Sequence, residues 1–179
     1  IINFLLMSQS VFAQKSYDYL KNIDEVKGKQ TVYTEININA SPEKVKKIFL
    51  EFDQWSKWCK VFPKIEIISG DINLIESKPK LDLTLDFGRK NDPKKAPVNP
   101  IVSINNQKVF VWGIYNGILI KAEHVFVFEP TNDGKGTHLI HYEIMKGMLS
   151  PFLMTKKVKA NMSELYKVMN QDFKNICEK

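Results

Sequence analysis

The stretch SPFLMTKKVKANMSELYKVMNQDFKNIC, residues 150–177, decides the architecture. Met154, Val158, Met162, Leu165, Met169, Phe173 and Ile176 recur at spacings of 4, 4, 3, 4, 4 and 3, one apolar stripe of an α-helix. Lys157, Lys159, Glu164, Lys167 and Lys174 fall on the opposite side. Ser150 suits the N-cap and Pro151 the first helical position, where its missing N–H costs nothing. One long helix over about residues 150–177 is expected. Its stripe needs a broad dry surface to lie on.

The preceding chain supplies that surface as strands. KLDLTLDF, residues 80–87, alternates strictly: Leu81, Leu83, Leu85 and Phe87 face one way, Asp82, Thr84 and Asp86 the other. That pattern predicts an antiparallel sheet with one dry and one wet face. TVYTEININ (31–39) reads as a first strand with Val32, Thr34, Ile36 and Ile38 on one side. ASPEKVKKIFLEF (40–52) reads as a helix, with Ser41 as cap, Pro42 at the first position and Glu43 at the positive end of the dipole. A second short helix, DQWSKWCKV, is expected from a cap at Asp53. KIEII, IVSIN, KVFVW, residues 119–129 and THLIHYEIM continue as strands. GRKNDPKKAPVNP (88–100) reads as a loop, Asn116-Gly117 as a hairpin tip and TNDGKG (131–136) as a turn. Strand, two helices, many consecutive strands and a long helix define an α+β domain with an antiparallel sheet.

The chain has 179 residues, 44% hydrophobic and 26% charged, within reach of one domain with a sizeable core. Its net charge of +6 suits acidic surfaces, but the lysines are scattered and Arg89 is the only arginine, so no nucleic-acid partner is expected. IINFLLMSQSVFA, residues 1–13, has an apolar run followed by Val11 and Ala13 at the −3 and −1 positions before Gln14. It reads as the tail of a truncated signal peptide, the alternative being a native amphipathic helix. Residues 14–30 read as a polar lead-in, and residues 31–179 as a single domain. An exported, periplasmic or secreted protein is expected. Export would favour a disulfide between Cys59 and Cys177 over two buried thiols.

Residues 31–177 resemble the START/Bet v 1-like superfamily, also called SRPBCC or helix-grip. The resemblance rests on INASPEKVKKIFLEFDQWSKWCKVFPKI, VFVW, HVFVFEP, GKGTHLIHYEIMKGML and the terminal helix, and points to the bacterial polyketide cyclase/dehydrase-like branch. It implies a curved sheet wrapped around the C-terminal helix, two short helices after the first strand, and an elongated cavity for a hydrophobic molecule. In such a fold Cys59, on the second short helix, and Cys177, at the end of the long one, could pair and pin the gripping helix to its cradle. The expected cavity wall comprises Leu83, Leu85, Trp112, Phe126, Met154, Val158, Met162, Leu165 and Met169. Five of the six methionines lie between Met145 and Met169, as core packing or as an adaptable pocket wall.

His124 heads the alternating run with Phe126 and Phe128 in KAEHVFVFEP, residues 121–130. On the last strand Ile140, Tyr142 and Ile144 are the more apolar set, against His141 and Glu143. Tyr142 is therefore expected beside His124 as a polar handle in an apolar cavity. The pair could be a satisfied structural contact, a ligand contact or an acid–base couple; no catalytic residue is assigned. His138 and His141 are three apart on a strand, hence on opposite faces, and the cysteines lack zinc spacing, so no metal is expected. No GxGxxG, Walker or G-x-S-x-G pattern occurs, and no cofactor is expected. The reading is an exported binding or carrier protein for a hydrophobic or amphipathic, lipid-like small molecule. The alternative is a cyclase/dehydrase-type enzyme in the same cavity. GIYNGIL, residues 113–119, is apolar for a loop and could gate the cavity or touch a membrane transiently. A monomer is expected.

Overall fold

The computed structural model describes residues 31–86 and 95–179. The signal-peptide and lead-in readings, and Phe87, lie outside them. One antiparallel sheet contains β1 (Thr31–Ile38), β2 (Lys64–Ser69), β3 (Lys80–Asp86), β4 (Lys95–Val98), β5 (Ile101–Asn105), β6 (Val109–Asn116), β7 (Ile120–Thr131) and β8 (Gly136–Lys146). Its order is β1-β8-β7-β6-β5-β3-β2, with β4 also paired to β3. The helix α1 (Pro42–Leu50) follows β1, and α2 (Ser150–Leu153) and α3 (Lys156–Cys177) end the chain. The expected α+β curved sheet over a C-terminal helix is thus observed.

Local chemistry explains most boundaries. Ser41 caps α1, its hydroxyl accepting from the Lys44 N–H at 3.4 Å, with Pro42 in the first turn. The second short helix is present as a 3-10 helix, Phe52–Lys57, and Asp53 does not cap it. Part of the expected loop at 88–100 pairs as β4, Leu83 lying opposite Val98. The single helix over 150–177 is broken at Met154–Thr155. Thr155 is extended (φ −62°, ψ 158°), and its hydroxyl accepts from the Val158 N–H at 3.3 Å, so it begins a new helix. Ser150 does not cap; its hydroxyl donates to the Gly147 carbonyl at 2.8 Å.

The β7–β8 hairpin turns through Asn132, Asp133 and Gly134, all at positive φ (50°, 55° and 84°). Asn, Asp and Gly are the residues that tolerate this region. The turn sets a register in which Phe126 faces His141 and His124 faces Glu143.

The concave face packs around Phe49 of α1. Its ring lies 4.6 Å from Phe126, 5.0 Å from Phe110 and 6.0 Å from Phe173 of α3, centroid to centroid. Trp55 joins this core, its indole N–H donating to the Phe49 carbonyl at 2.8 Å. The sheet is not dry on one face only. Val109, Val111, Val125, Val127, Ile140 and Tyr142 form a second buried cluster on the outer face of β6–β8. VFVW (109–112) and VFVF (125–128) are continuous apolar runs, as befits strands buried on both sides.

Lys46 of α1 is buried against this core. Its ammonium donates to the Val109 carbonyl at 3.4 Å and lies 4.8 Å and 5.0 Å from the Phe128 and Phe110 ring centres. Burial pushes its pKa down to about 7. The charged form is penalised in the folded state, so stability rises as pH climbs from about 7 toward the ordinary lysine value of 10.5. Lys46→Met should therefore raise the unfolding free energy at neutral pH by about 1 kcal/mol, read by urea denaturation; a loss of stability would show that the aromatic contacts outweigh desolvation.

Candidate functional site

The site grows from the β7–β8 register. Residues opposite each other on paired strands share a face, so His124, Phe126 and Phe128 share theirs with Glu143, His141 and Leu139. Tyr142 lies opposite Val125 on the outer face, where it stacks on Tyr33 with ring centres 6.5 Å apart. The expected His124–Tyr142 pair is therefore not formed. Ranking the β8 residues by polarity chose the wrong set: the inner face carries His141 and Glu143, and the outer face is the greasier one. The buried Tyr142 hydroxyl has no hydrogen-bond partner among the described residues.

His124 instead meets His141, Nε2 to Nε2. His141 Nδ1 lies 2.7 Å from the Asn170 amide oxygen on α3. The Asn170 amide nitrogen donates to Thr34 Oγ1 at 3.0 Å, and Thr34 Oγ1 donates to the His141 carbonyl at 3.0 Å. This chain runs in one direction. Asn170 offers its oxygen, so His141 carries its proton on Nδ1 and accepts at Nε2. His124 must then donate from Nε2, which leaves its Nδ1 as an acceptor. That nitrogen points toward Glu143, 4.0 Å from Oε2, too far for a direct hydrogen bond. Glu143 in turn accepts from the Tyr166 hydroxyl of α3.

Electrostatics keeps this cluster neutral on the histidine side. Burial lowers His124 well below its ordinary pKa of 6.5, and the neighbouring His141 lowers it further. Burial pushes His141 down to about 3, opposed by the hydrogen bond to Asn170. Burial raises Glu143 above the usual carboxylate range, opposed by the bond from Tyr166. Tyr166 is raised well above 10.0, first by burial and then by the adjacent carboxylate. His138, on the outer face, pairs with Glu129 at 3.2 Å and Glu35 at 3.5 Å, apart from His141.

A cavity of about 150 Å³ opens onto His124, Glu143 and Tyr166. Leu83, Leu85, Val98, Trp112, Ile120 and Met145 supply much of its apolar wall. Of the expected wall, His124, Leu83, Leu85 and Trp112 line it. Phe126 packs beneath, stacked on His124 at 5.0 Å. Met154, Val158, Met162, Leu165 and Met169 do not line it. Met169 packs into the Phe49 core, and Met154 and Met162 cluster with Val32 and Tyr166. These methionines of the C-terminal segment are thus core packing, and the described cavity lies off their stripe. A wider depression of about 730 Å³ lies elsewhere, between Phe52–Ser56 and edge strand β2, and holds no buried polar group. Cys59 and Cys177 are free, buried thiols, so the possible bridge between them is not formed. The Cys59 sulfur instead accepts from the Phe62 N–H at 3.4 Å, and burial pushes both thiols up to about 12.

No family model matches the sequence, and no curated protein is significantly similar to it. Solved structures do match. A START superfamily protein from Mycobacterium smegmatis superposes with a TM-score of 0.65 at 16% identity, covering 83% of this chain and 97% of its own. The Zhui aromatase/cyclase from Streptomyces sp. R1128 gives 0.64 at 10% identity, over 83% and 93%. Ara h 8.0201 gives 0.59 at 14% identity, over 82% and 96%. The chain has the START/Bet v 1 helix-grip fold. Identities this low establish the fold and leave the chemistry to the site itself.

Sequence reasoning found His124 but missed His141, Glu143, Tyr166 and Asn170. Tyr166 and Asn170 carried a usable signal, since both neighbour the Met162–Met169–Phe173 stripe at helical spacing. His141 and Glu143 needed the register.

Both histidines have folded pKa values below their unfolded ones, so their contribution is present above about pH 6.5 and is lost on acidification toward the folded values. His141 alone should cost roughly 2 kcal/mol of stability at about pH 5. Glu143, shifted upward, works in the opposite direction as it protonates. Urea unfolding followed from neutral to about pH 5 should show a net loss that His141→Phe reduces, His124 keeping its own share; equal slopes in the two proteins would sink this account.

Proposed function

We propose that the protein binds an apolar small molecule bearing an uncharged hydrogen-bond donor, and that it acts as a carrier or sensor of that molecule. One observation carries the reading: the His124 Nδ1 acceptor and the Glu143 carboxyl group stand 4.0 Å apart, unbonded to each other, on the wall of an otherwise apolar cavity. A ligand hydroxyl placed between them donates to His124 and meets Glu143, and the apolar body lies against Leu83, Leu85, Val98 and Trp112. Among the described residues, no lysine or arginine lines the cavity. A carboxylate or phosphate headgroup would face Glu143 with no counter-charge, which disfavours anionic lipids. A dry cavity near this size admits about one benzene-sized group, so the recognised part is a ring or short chain.

Naphthol should therefore bind about tenfold more tightly than naphthalene, which lacks the donor, and than naphthoate, which is charged. The check is isothermal titration with wild type, His124→Phe and Tyr142→Phe. His124→Phe should erase the preference and Tyr142→Phe should not; naphthoate binding as well as naphthol would overturn the reading.

A second reading has a specific observation behind it. His124, Glu143 and Tyr166 converge on one point, which is what a cyclase or dehydratase needs for proton transfer. In that reading the protonated Glu143 carboxyl is the acid and His124 Nδ1 the base. The neighbouring aromatase/cyclase with the same fold supports it by analogy only.

We infer in addition that the mature protein is exported, on the pattern of residues 1–13. Expression of the full-length precursor in a bacterial host should yield a periplasmic product beginning at Gln14, read by intact-mass measurement; uncleaved cytoplasmic protein would refute export.

A further inference from the structure

Two segments distant in sequence form one exposed apolar surface beside the cavity. The β6–β7 tip exposes Ile114, Tyr115, Ile118 and Leu119, with Ile118 76% exposed. The β8–α2 junction exposes Met148, Leu149, Phe152 and Leu153, with Phe152 77% and Met148 64% exposed. The segments are joined by backbone hydrogen bonds. The Met148 N–H donates to the Ile118 carbonyl at 3.1 Å, and the Leu149 N–H to the Leu119 carbonyl at 3.0 Å. Gly147 makes the junction possible: at φ +102° it passes so close that a Cβ there would lie 2.6 Å from the Leu119 carbonyl oxygen. The patch is therefore one built surface, and isolated exposed leucines on two loops would not need such a junction.

Its charge is one-sided. Residues 114–121 and 144–163 contain no Asp or Glu. Lys146, Lys156 and Lys157 are exposed beside the apolar residues. An apolar centre with a lysine border matches the interface of an anionic bilayer, where apolar side chains enter the acyl boundary and ammonium groups meet the headgroups. No helix among the described residues is long and apolar enough to cross a membrane, so the contact would be peripheral. The patch also borders the cavity, because Ile114, Ile120 and Met145 line it and adjoin the patch along the chain.

We propose that this face docks on anionic phospholipid membranes, through Ile118, Met148 and Phe152 inserted at the interface and Lys146, Lys156 and Lys157 on headgroups. The proposal rests on the surface alone and does not require the cavity to be filled. Docking would set the cavity mouth against the bilayer, a short path for an apolar ligand.

The test is co-sedimentation of the purified full chain with vesicles of phosphatidylcholine, with and without phosphatidylserine. Binding should require phosphatidylserine, fall with salt, and fall about tenfold in each of Ile118→Glu and Phe152→Glu. Lys156→Glu/Lys157→Glu should weaken it without loss of fold, checked by circular dichroism. Equal binding to both vesicle types, or no effect of Phe152→Glu, would overturn the proposal. So would sedimentation velocity showing a dimer that Phe152→Glu dissociates, since the patch would then be a contact between copies. Naphthol affinity should be unchanged in Ile118→Glu, which separates failure of docking from failure of the ligand reading.

Discussion

The register between β7 and β8 is the constraint on which the rest depends. It is set at one end by a turn in which Asn132, Asp133 and Gly134 all take positive φ. It places His124 opposite Glu143 and Phe126 opposite His141. A slip of one residue would exchange the faces of β8, sending Tyr142 inward and both polar groups outward. The cavity, the histidine pair and the carboxyl group would all be lost together. α3 then locks what the register places, since Asn170 and Tyr166 each reach a β8 side chain.

The polar chain from Thr34 through Asn170 and His141 to His124 lies inside the core, where an unpaired group is costly. Each member has a partner, and the order of donors is set from the Asn170 end. The consequence is functional. The chain ends on a nitrogen with a free lone pair at the cavity wall, and its neighbour is a carboxyl group held off at 4.0 Å. Burial keeps the histidines neutral, so the described residues present acceptors and a carboxyl group, and no cation, to the cavity.

Much of the fold was legible because it depends on local chemistry and periodicity. The stripe through Met162, Leu165, Met169 and Phe173, the alternation of Leu81 and Leu83, and the Ser41–Pro42 helix start all needed only near neighbours. The break at Thr155 was less visible, since Thr155 caps only when the chain leaves the helix there and the apolar stripe reads through it. His124 was legible as the odd residue in an apolar rank. Its partner was not, because Tyr142 and His141 are adjacent and only pairing parity decides which faces inward.

Spacing along the chain was enough for the order of elements, the antiparallel sheet, the apolar helix face and the place of His124 in an apolar rank. Three-dimensional contacts were needed to show that His141, Glu143, Tyr166 and Asn170 join His124, that Met154, Met162 and Met169 pack into the core, and that the two cysteines are free thiols. Those outcomes depend on contacts between residues far apart in the chain, including 29 positions between His141 and Asn170 and 136 between Thr34 and Asn170. Register and packing settle such contacts, and no local periodicity encodes them.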